Sequence, residues 1–221
     1  MGKLIVIEGL DASGKATQSK ILADTLEKAG KKVRLISFPD YESDGSILVR
    51  RYLDGTLGSH PSDTNPYAAS VFFAADRYYS FKTDWSKDYS DPDTVVIANR
   101  YTTANAYHQI SKLPKNDWDS FLEWLFDFEF GKLGLPSPDV VFCLEMPPEV
   151  SARLLAHRCE ETGAKKDIHE ADDSYLAACH EAAMYVADKL GWSVIHCSED
   201  GGILPRDVIA SMITEKLQGI V

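Results

Sequence analysis

Positive charge is what this chain has least to spare. Its 221 residues carry 23 Lys and Arg against 34 Asp and Glu, a net charge of −11. Nucleic acid and anionic membrane surfaces would repel such a chain, so neither is expected as a partner. Cysteine is sparse too: Cys143, Cys159, Cys179 and Cys197 form no C-x-x-C pair. Scattered thiols of this kind suit a reducing compartment rather than a disulfide framework. No apolar run reaches membrane-spanning length, and the start "MGKLIVIEG" is too short for a signal h-region. These absences predict a cytoplasmic protein. Internal repeats, low-complexity tracts and Pro/Gly/Ser linkers are also missing, so residues 1–221 are expected to form one domain. Hydrophobic residues make up 44% of the chain, enough for a substantial core.

What is present alternates. "LIVIE" (4–8), "VRLIS" (33–37), "TVVIAN" (94–99), "VVFCLE" (140–145) and "WSVIHC" (192–197) are short and rich in Val and Ile. Each reads as a strand buried on both faces. Helical patterns fall near 14–29, 45–56, 65–82, 101–111, 117–130, 148–159, 170–190 and 205–218, with Gly30 and Gly191 at plausible C-caps. Strand alternating with helix predicts an α/β fold with a parallel sheet covered on both faces and ligands at the carboxyl ends of its strands.

The first strand runs into "IEGLDASGKATQ" (7–18). Gly9, Gly14 and Lys15 match the phosphate-loop pattern G-x-x-x-x-G-K-[ST], but Ala16 stands where a metal-binding hydroxyl belongs and Thr17 comes one place late. In a strand–loop–helix context the backbone N–H groups of Gly9, Leu10, Asp11, Ala12, Ser13 and Gly14 and the helix N-terminus would face an anion. Lys15 would reach the β- and γ-phosphates. "ANRY" (98–101) brings Asn99 and Arg100 to the same sheet edge. In "FFAADRYY" (72–79), Phe73 and Arg77 share a helix face, fit either to stack and clamp a ligand or to be a core aromatic beside a solvated cation.

Together "EGLDASGKATQ", "FPDY", "FAADR", "NRYTTANAYHQ", "GLPSPDVVFCLEMPPEV" and "ARLLAHRCEETGAKKDIHEADDSYL" resemble the thymidylate kinase family over nearly the whole chain. The resemblance implies a P-loop NTPase fold with a five-stranded parallel sheet flanked by helices on both faces. It also implies transfer of the ATP γ-phosphoryl group to dTMP, Mg2+ as cofactor, and a homodimer. Asp11 would contact the deoxyribose 3′-hydroxyl, Phe73 would stack on thymine, and Arg77 would contact the base. Arg100 would hold the monophosphate, and Asn105 would hydrogen-bond the base. Phe38, Pro39 and Tyr41 would border the acceptor. Tyr101 and His108 lie where relatives crowd the sugar 2′ side, with core packing and a surface imidazole as the alternatives.

The segment 156–170 breaks the helical pattern and gathers Arg158, Lys165 and Lys166 around Gly163, which suits a lid. Ala12 lacks the arginine some members place in the loop, so Arg153 and Arg158 are the expected lid arginines. Three departures stand out: Ala16, Asn99 where most members have Asp, and Asp40–Tyr41 where many carry an arginine. Thr17 and Asn99 remain as metal contacts, predicting a looser, more water-mediated magnesium site. A kinase for another deoxynucleoside monophosphate, or a non-catalytic nucleotide-binding relative, are the alternatives. The helical stripe Trp118, Phe121, Leu125 and Phe128 reads as core or dimer contact. The spacing of His157, Cys159, His169, Cys179 and His180 fits no zinc pattern.

Overall fold

The computed structural model describes residues 1–163 and 166–219. Five strands, β1 (Lys3–Gly9), β2 (Lys32–Ser37), β3 (Thr94–Asn99), β4 (Val140–Glu145) and β5 (Ser193–His196), form one parallel sheet in the order β2-β3-β1-β4-β5. Each lies within two residues of its sequence-predicted span. The central strands β1 and β3 are nearly continuous apolar runs buried on both faces, as parallel strands under two helix layers must be. β2 and β5 differ from expectation. Both are edge strands with exposed or half-buried positions, because each has a neighbour on one side only.

Nine helices are described: α1 (Lys15–Lys28), α2 (Ile47–Leu53), α3 (Pro66–Ser80), α4 (Ser86–Ser90), α5 (Thr102–Ile110), α6 (Trp118–Phe126), α7 (Pro148–Thr162), α8 (Asp173–Leu190) and α9 (Arg206–Leu217). α3 and α6 each pass into a π-helical turn, Phe81–Trp85 and Asp127–Lys132, where the sequence predicts plain helix. α7 runs on to Thr162 and ends at the left-handed Gly163, so the first part of the predicted 156–170 break is helical. A short antiparallel hairpin, β6 (Ser198–Glu199) and β7 (Gly202–Ile203), follows β5; two-residue strands leave no periodicity to detect.

One core layer packs α1, α7 and α9 on one face of the sheet through Leu22, Leu26, Val150, Ile209 and Ile213. On the other face Phe38, Trp85 and Tyr101 pack against Leu4, Val6 and Val96. The topology brings Gly9, Ser37 and Asn99 to one edge, with Ser37 and Ile7 both in register with Asn99. There β1 feeds α1 toward β2, while β3 feeds α5 away from it, opening the crevice expected of a doubly wound sheet.

Candidate functional site

The loop after β1 is shaped by close approach. Gly9 sits at φ +145, and a Cβ there would lie 2.6 Å from both the Leu144 carbonyl and Ser13 Oγ. Gly14 caps α1 in the left-handed region, and Ala12 is left-handed without being glycine (φ 60). Leu10 is buried, and its carbonyl accepts Lys15 Nζ at 2.7 Å. Burial lowers the Lys15 ammonium to about 7, and the neighbouring Arg100 adds to the effect.

Arg100 is the hub. It occupies the left-handed region (φ 65), a conformation that costs a non-glycine residue of order 1–3 kcal/mol. The backbone on either side is tied down: Arg100 N donates to the Ile7 carbonyl at 3.1 Å, and Tyr101 N donates to Glu8 Oε1 at 3.0 Å. Buried Glu8 also accepts from Thr103 Oγ1 and Tyr107 OH at 2.6 and 2.9 Å. The guanidinium meets Asp11 Oδ1 at 2.5 Å, Tyr107 OH at 3.2 Å and His108 Nε2 at 2.9 Å. Burial alone would raise the Asp11 carboxyl; Arg100 and then Lys15 override it and hold Asp11 below the usual carboxylate range. His108 is pushed well below its ordinary value by burial, then by Arg100 and His169. Neutral His108 must accept from Arg100 at Nε2, so Nδ1 carries the hydrogen toward Tyr175 OH at 3.2 Å. His108 is therefore buried and lines the cavity, not a surface imidazole.

A cavity of about 840 Å³ opens over this edge, near the upper end of small-molecule sites. Asp11, Ala12, Ser13, Gly14, Lys15, Ala16 and Thr17 line one end. Phe38, Pro39 and Tyr41 line it from the β2 turn, and Phe73 and Arg77 from α3. Asn99, Arg100, Tyr101, Asn105 and His108 complete the group on β3 and α5. Arg77 is not a solvated cation: Glu129 grips it while it is 1% exposed. Tyr101 packs its ring at 6.0 Å from Phe38 and 6.3 Å from Trp85.

Of the residues expected in a lid, Arg158 lines the cavity and pairs with Glu170 at 2.5 Å. Arg153, expected beside it, does not. It is exposed on α7 and donates to the Gly201 carbonyl at 2.9 Å. Lys166 is exposed and does not line the cavity; Lys165 lies outside the described residues. Sequence reasoning missed Asp167, His169 and Glu170, which line the cavity from the segment after α7. Burial raises the Asp167 carboxyl to about 6 and lowers His169 to about 3. It also missed Glu129, whose signal was present: an acid inside "WLFDFEF" needs a partner if the run is buried. Trp118, Phe121 and Leu125 are core, and half-buried Phe128 stacks on Trp124 with centroids 5.4 Å apart.

For a metal carried in on phosphates, β3 offers one suitable atom. Asn99 Nδ2 donates to Ser37 Oγ at 3.0 Å, leaving Oδ1 buried without a partner on the cavity wall. Thr17 also lines the cavity. Among the described residues no cluster of three or more His, Cys, Asp or Glu could hold a metal by itself. That donor set fits Mg2+ held mainly by a nucleotide and waters.

A glycine loop joining the central strand of a parallel sheet to a helix, with its lysine buried over a cavity at the switch point, is the arrangement of a P-loop NTPase fold. A solved structure of thymidylate kinase from Candida albicans shares that fold, with a TM-score of 0.69 at 20% identity over 98% of this chain and 91% of that one. The family is fixed by sequence: the thymidylate kinase family model matches residues 7–202, and the chain belongs to the thymidylate kinase family. It is similar to the thymidylate kinase of Mycobacterium tuberculosis (strain ATCC 25618 / H37Rv), with 31% identity over 76% of this chain and 78% of the relative. It is also similar to the probable thymidylate kinase of Thermococcus gammatolerans, with 30% identity over 100% of both.

Proposed function

We propose that this chain is a dTMP kinase, transferring the γ-phosphoryl group of ATP to dTMP to give dTDP and ADP. The observation that carries the reading is that Lys15, Asp11 and Arg100, the last two ion-paired, line a single cavity together with Phe73 and Arg77. Donor and acceptor can then be held by different elements around one sheet edge. The loop amides and the α1 N-terminus take the triphosphate, with Lys15 as a point charge on it. Arg100 leaves Asp11 to hold the acceptor phosphate, freeing Asp11 for the sugar hydroxyl. Phe73 stacks on the base, and Arg77 and Asn105 reach its edge.

An oxygen of the acceptor phosphate attacks the γ-phosphorus, the bond to the β–γ bridging oxygen breaks, and ADP departs with that electron pair. The acceptor is already ionised, so no strong base is required, and catalysis is positioning plus charge stabilisation. Arg158 supplies a cation to the transferring group when the segment 156–170 closes, and closure excludes water. Mg2+ would be held by Asn99 Oδ1 and Thr17 through waters, neutralising phosphate charge.

A coupled assay of ADP production against a panel of monophosphates, with and without excess Mg2+, tests the reading. Preference for dTMP is expected. A different winner would move the substrate, as Asp40 and Tyr41 in place of an arginine could, and binding without turnover would remove the activity.

We further infer a cytoplasmic homodimer whose protomer is a single domain. Tyr67 and, four and eleven residues after it, Val71 and Tyr78 share one exposed face of α3, and Ile47 and Leu48 of α2 are exposed as well. Sedimentation should show a particle of twice 24.5 kDa, and a monomer at all concentrations would refute the dimer.

A further inference from the structure

The Arg100 guanidinium is held unevenly. Nη1 gives both of its hydrogens to α5, one to Tyr107 OH at 3.2 Å and one to His108 Nε2 at 2.9 Å. Nη2 meets Asp11. Once Asp11 turns to the sugar, Nε and Nη2 remain as one edge, the fork that takes two oxygens of a single phosphate. Where that edge points is set by whatever holds Nη1.

Tyr107 is the holder that a ligand does not reach. It is 0% exposed, and neither it nor Glu8 lines the cavity, whereas His108 does. Burial and then Glu8 raise the Tyr107 phenol well above its ordinary value, so it stays a neutral hydroxyl. That hydroxyl accepts from Arg100 and has one hydrogen to give, to Glu8 Oε2 at 2.9 Å or to the Gly9 carbonyl at 3.0 Å. Both acceptors belong to the end of β1, the strand that launches the phosphate loop. The same strand end holds the backbone at Arg100 and Tyr101, through the Ile7 carbonyl and Glu8 Oε1. Main chain and side chain of Arg100 are thus both anchored to residues 7–9.

We propose that Tyr107 is a positioning residue: it ties Arg100 Nη1 to the strand end that carries the phosphate loop, so that the Nε–Nη2 edge meets the acceptor phosphate at a fixed distance from the donor. The inference rests on the dTMP kinase reading for its ligand, and it concerns the phosphate alone, not the base or the sugar. The test is calorimetric affinity for dTMP and for thymidine, which lacks the phosphate. Both are measured in the wild-type chain and in Tyr107→Phe, which keeps the ring and loses one oxygen.

Tyr107→Phe should bind dTMP about tenfold more weakly, the loss of one hydrogen bond to a charged group, and bind thymidine within about threefold of wild type. Steady-state rates should split in the same way, with KM for dTMP raised about tenfold and KM for ATP within about threefold. Unchanged dTMP affinity would overturn the proposal, as would an equal loss on both ligands, which is what a general loosening of α5 produces. If the variant does not fold, a wild-type crystal structure with dTMP decides. Nη1 on Tyr107 OH with Nε and Nη2 on the phosphate supports the proposal, and Nη1 on the phosphate overturns it. A wild type that phosphorylates dTMP while Tyr107→Phe shows no split sinks the positioning role alone. The split without turnover sinks the kinase reading alone, and a wild type that binds dTMP no tighter than thymidine sinks both.

Discussion

Glu129 grips Arg77 through both carboxylate oxygens, Oε2 on Nε at 2.7 Å and Oε1 on Nη2 at 2.6 Å, with neither residue more than 1% exposed. Thr102 Oγ1 adds a third hydrogen bond to Oε2 at 2.7 Å. The pair ties α3 to the π-helical turn after α6 and fixes the guanidinium on the cavity wall. Removing one partner of such a pair leaves an uncompensated buried charge, which costs far more than the pair itself is worth. Glu129→Ala should lower unfolding free energy by about 3–5 kcal/mol in urea titration. Glu129→Gln, which keeps the shape and one acceptor, should fold but raise KM for dTMP about tenfold with the KM for ATP unmoved. Equal stability of Glu129→Ala and wild type would show that Arg77 finds another partner.

Lys15 gives a pH prediction with a definite sign. Its ammonium titrates at about 7 in the ligand-free cavity because burial disfavours the charge. A bound triphosphate favours the charge and raises that value, so between the two pKa values binding takes up a proton. At pH 8, ATP binding should take up about 0.9 proton per site, and at pH 6 about 0.1. Calorimetry in buffers of different ionisation enthalpy reads this directly. Lys15→Met should abolish the uptake and reduce kcat by about 10²- to 10³-fold. Proton release, or uptake that survives in Lys15→Met, would contradict the role.

What could be read from the sequence, and what could not, follows the range of the interactions. The five strands were legible because "LIVIE" or "TVVIAN" is a local apolar run, and the loop was legible because Gly9, Gly14 and Lys15 lie within seven residues. The edge character of β2 and β5 was not legible, since it depends on sheet order, which local patterns do not encode. Arg77 was visible as a motif, but Glu129 lies 52 residues away and only the fold pairs them. Arg153 and Arg158 looked alike as cations on one helix. Five residues turn the helix by about 140°, and that rotation alone sends one to the hairpin and the other to the cavity.

Ala16 and Asn99 are the two positions on the cavity wall where a stronger metal ligand can be introduced. A hydroxyl at residue 16 would project from the first turn of α1 on the cavity wall, where Ala16 offers only a methyl. Ala16→Ser should lower the Mg2+ concentration for half-maximal rate roughly tenfold at fixed ATP. Asn99→Asp should act in the same direction by adding charge at an atom already unpartnered. No shift in either variant would mean that the nucleotide and solvent hold the ion without help from these positions.

Arg158 and Arg153 provide an internal comparison within α7. Arg158 lines the cavity and is drawn toward it by Glu170, whose own position is set by Asp167 Oδ1 accepting from Glu170 N at 2.9 Å. A cation there can meet charge that develops as the phosphoryl group moves, an interaction made in the transition state and not in the ground state. Arg158→Ala should therefore lower kcat by about 10²- to 10³-fold and leave both KM values within about threefold. Arg153 instead holds the Gly201 carbonyl of the hairpin, an exposed contact worth little to the chemistry. Arg153→Ala should keep kcat within about threefold of wild type, because surface substitutions of this kind shift energies by about 0.5 kcal/mol. Steady-state rates for the two variants side by side decide the matter, and the reverse ranking would place the lid cation on the other side of the helix.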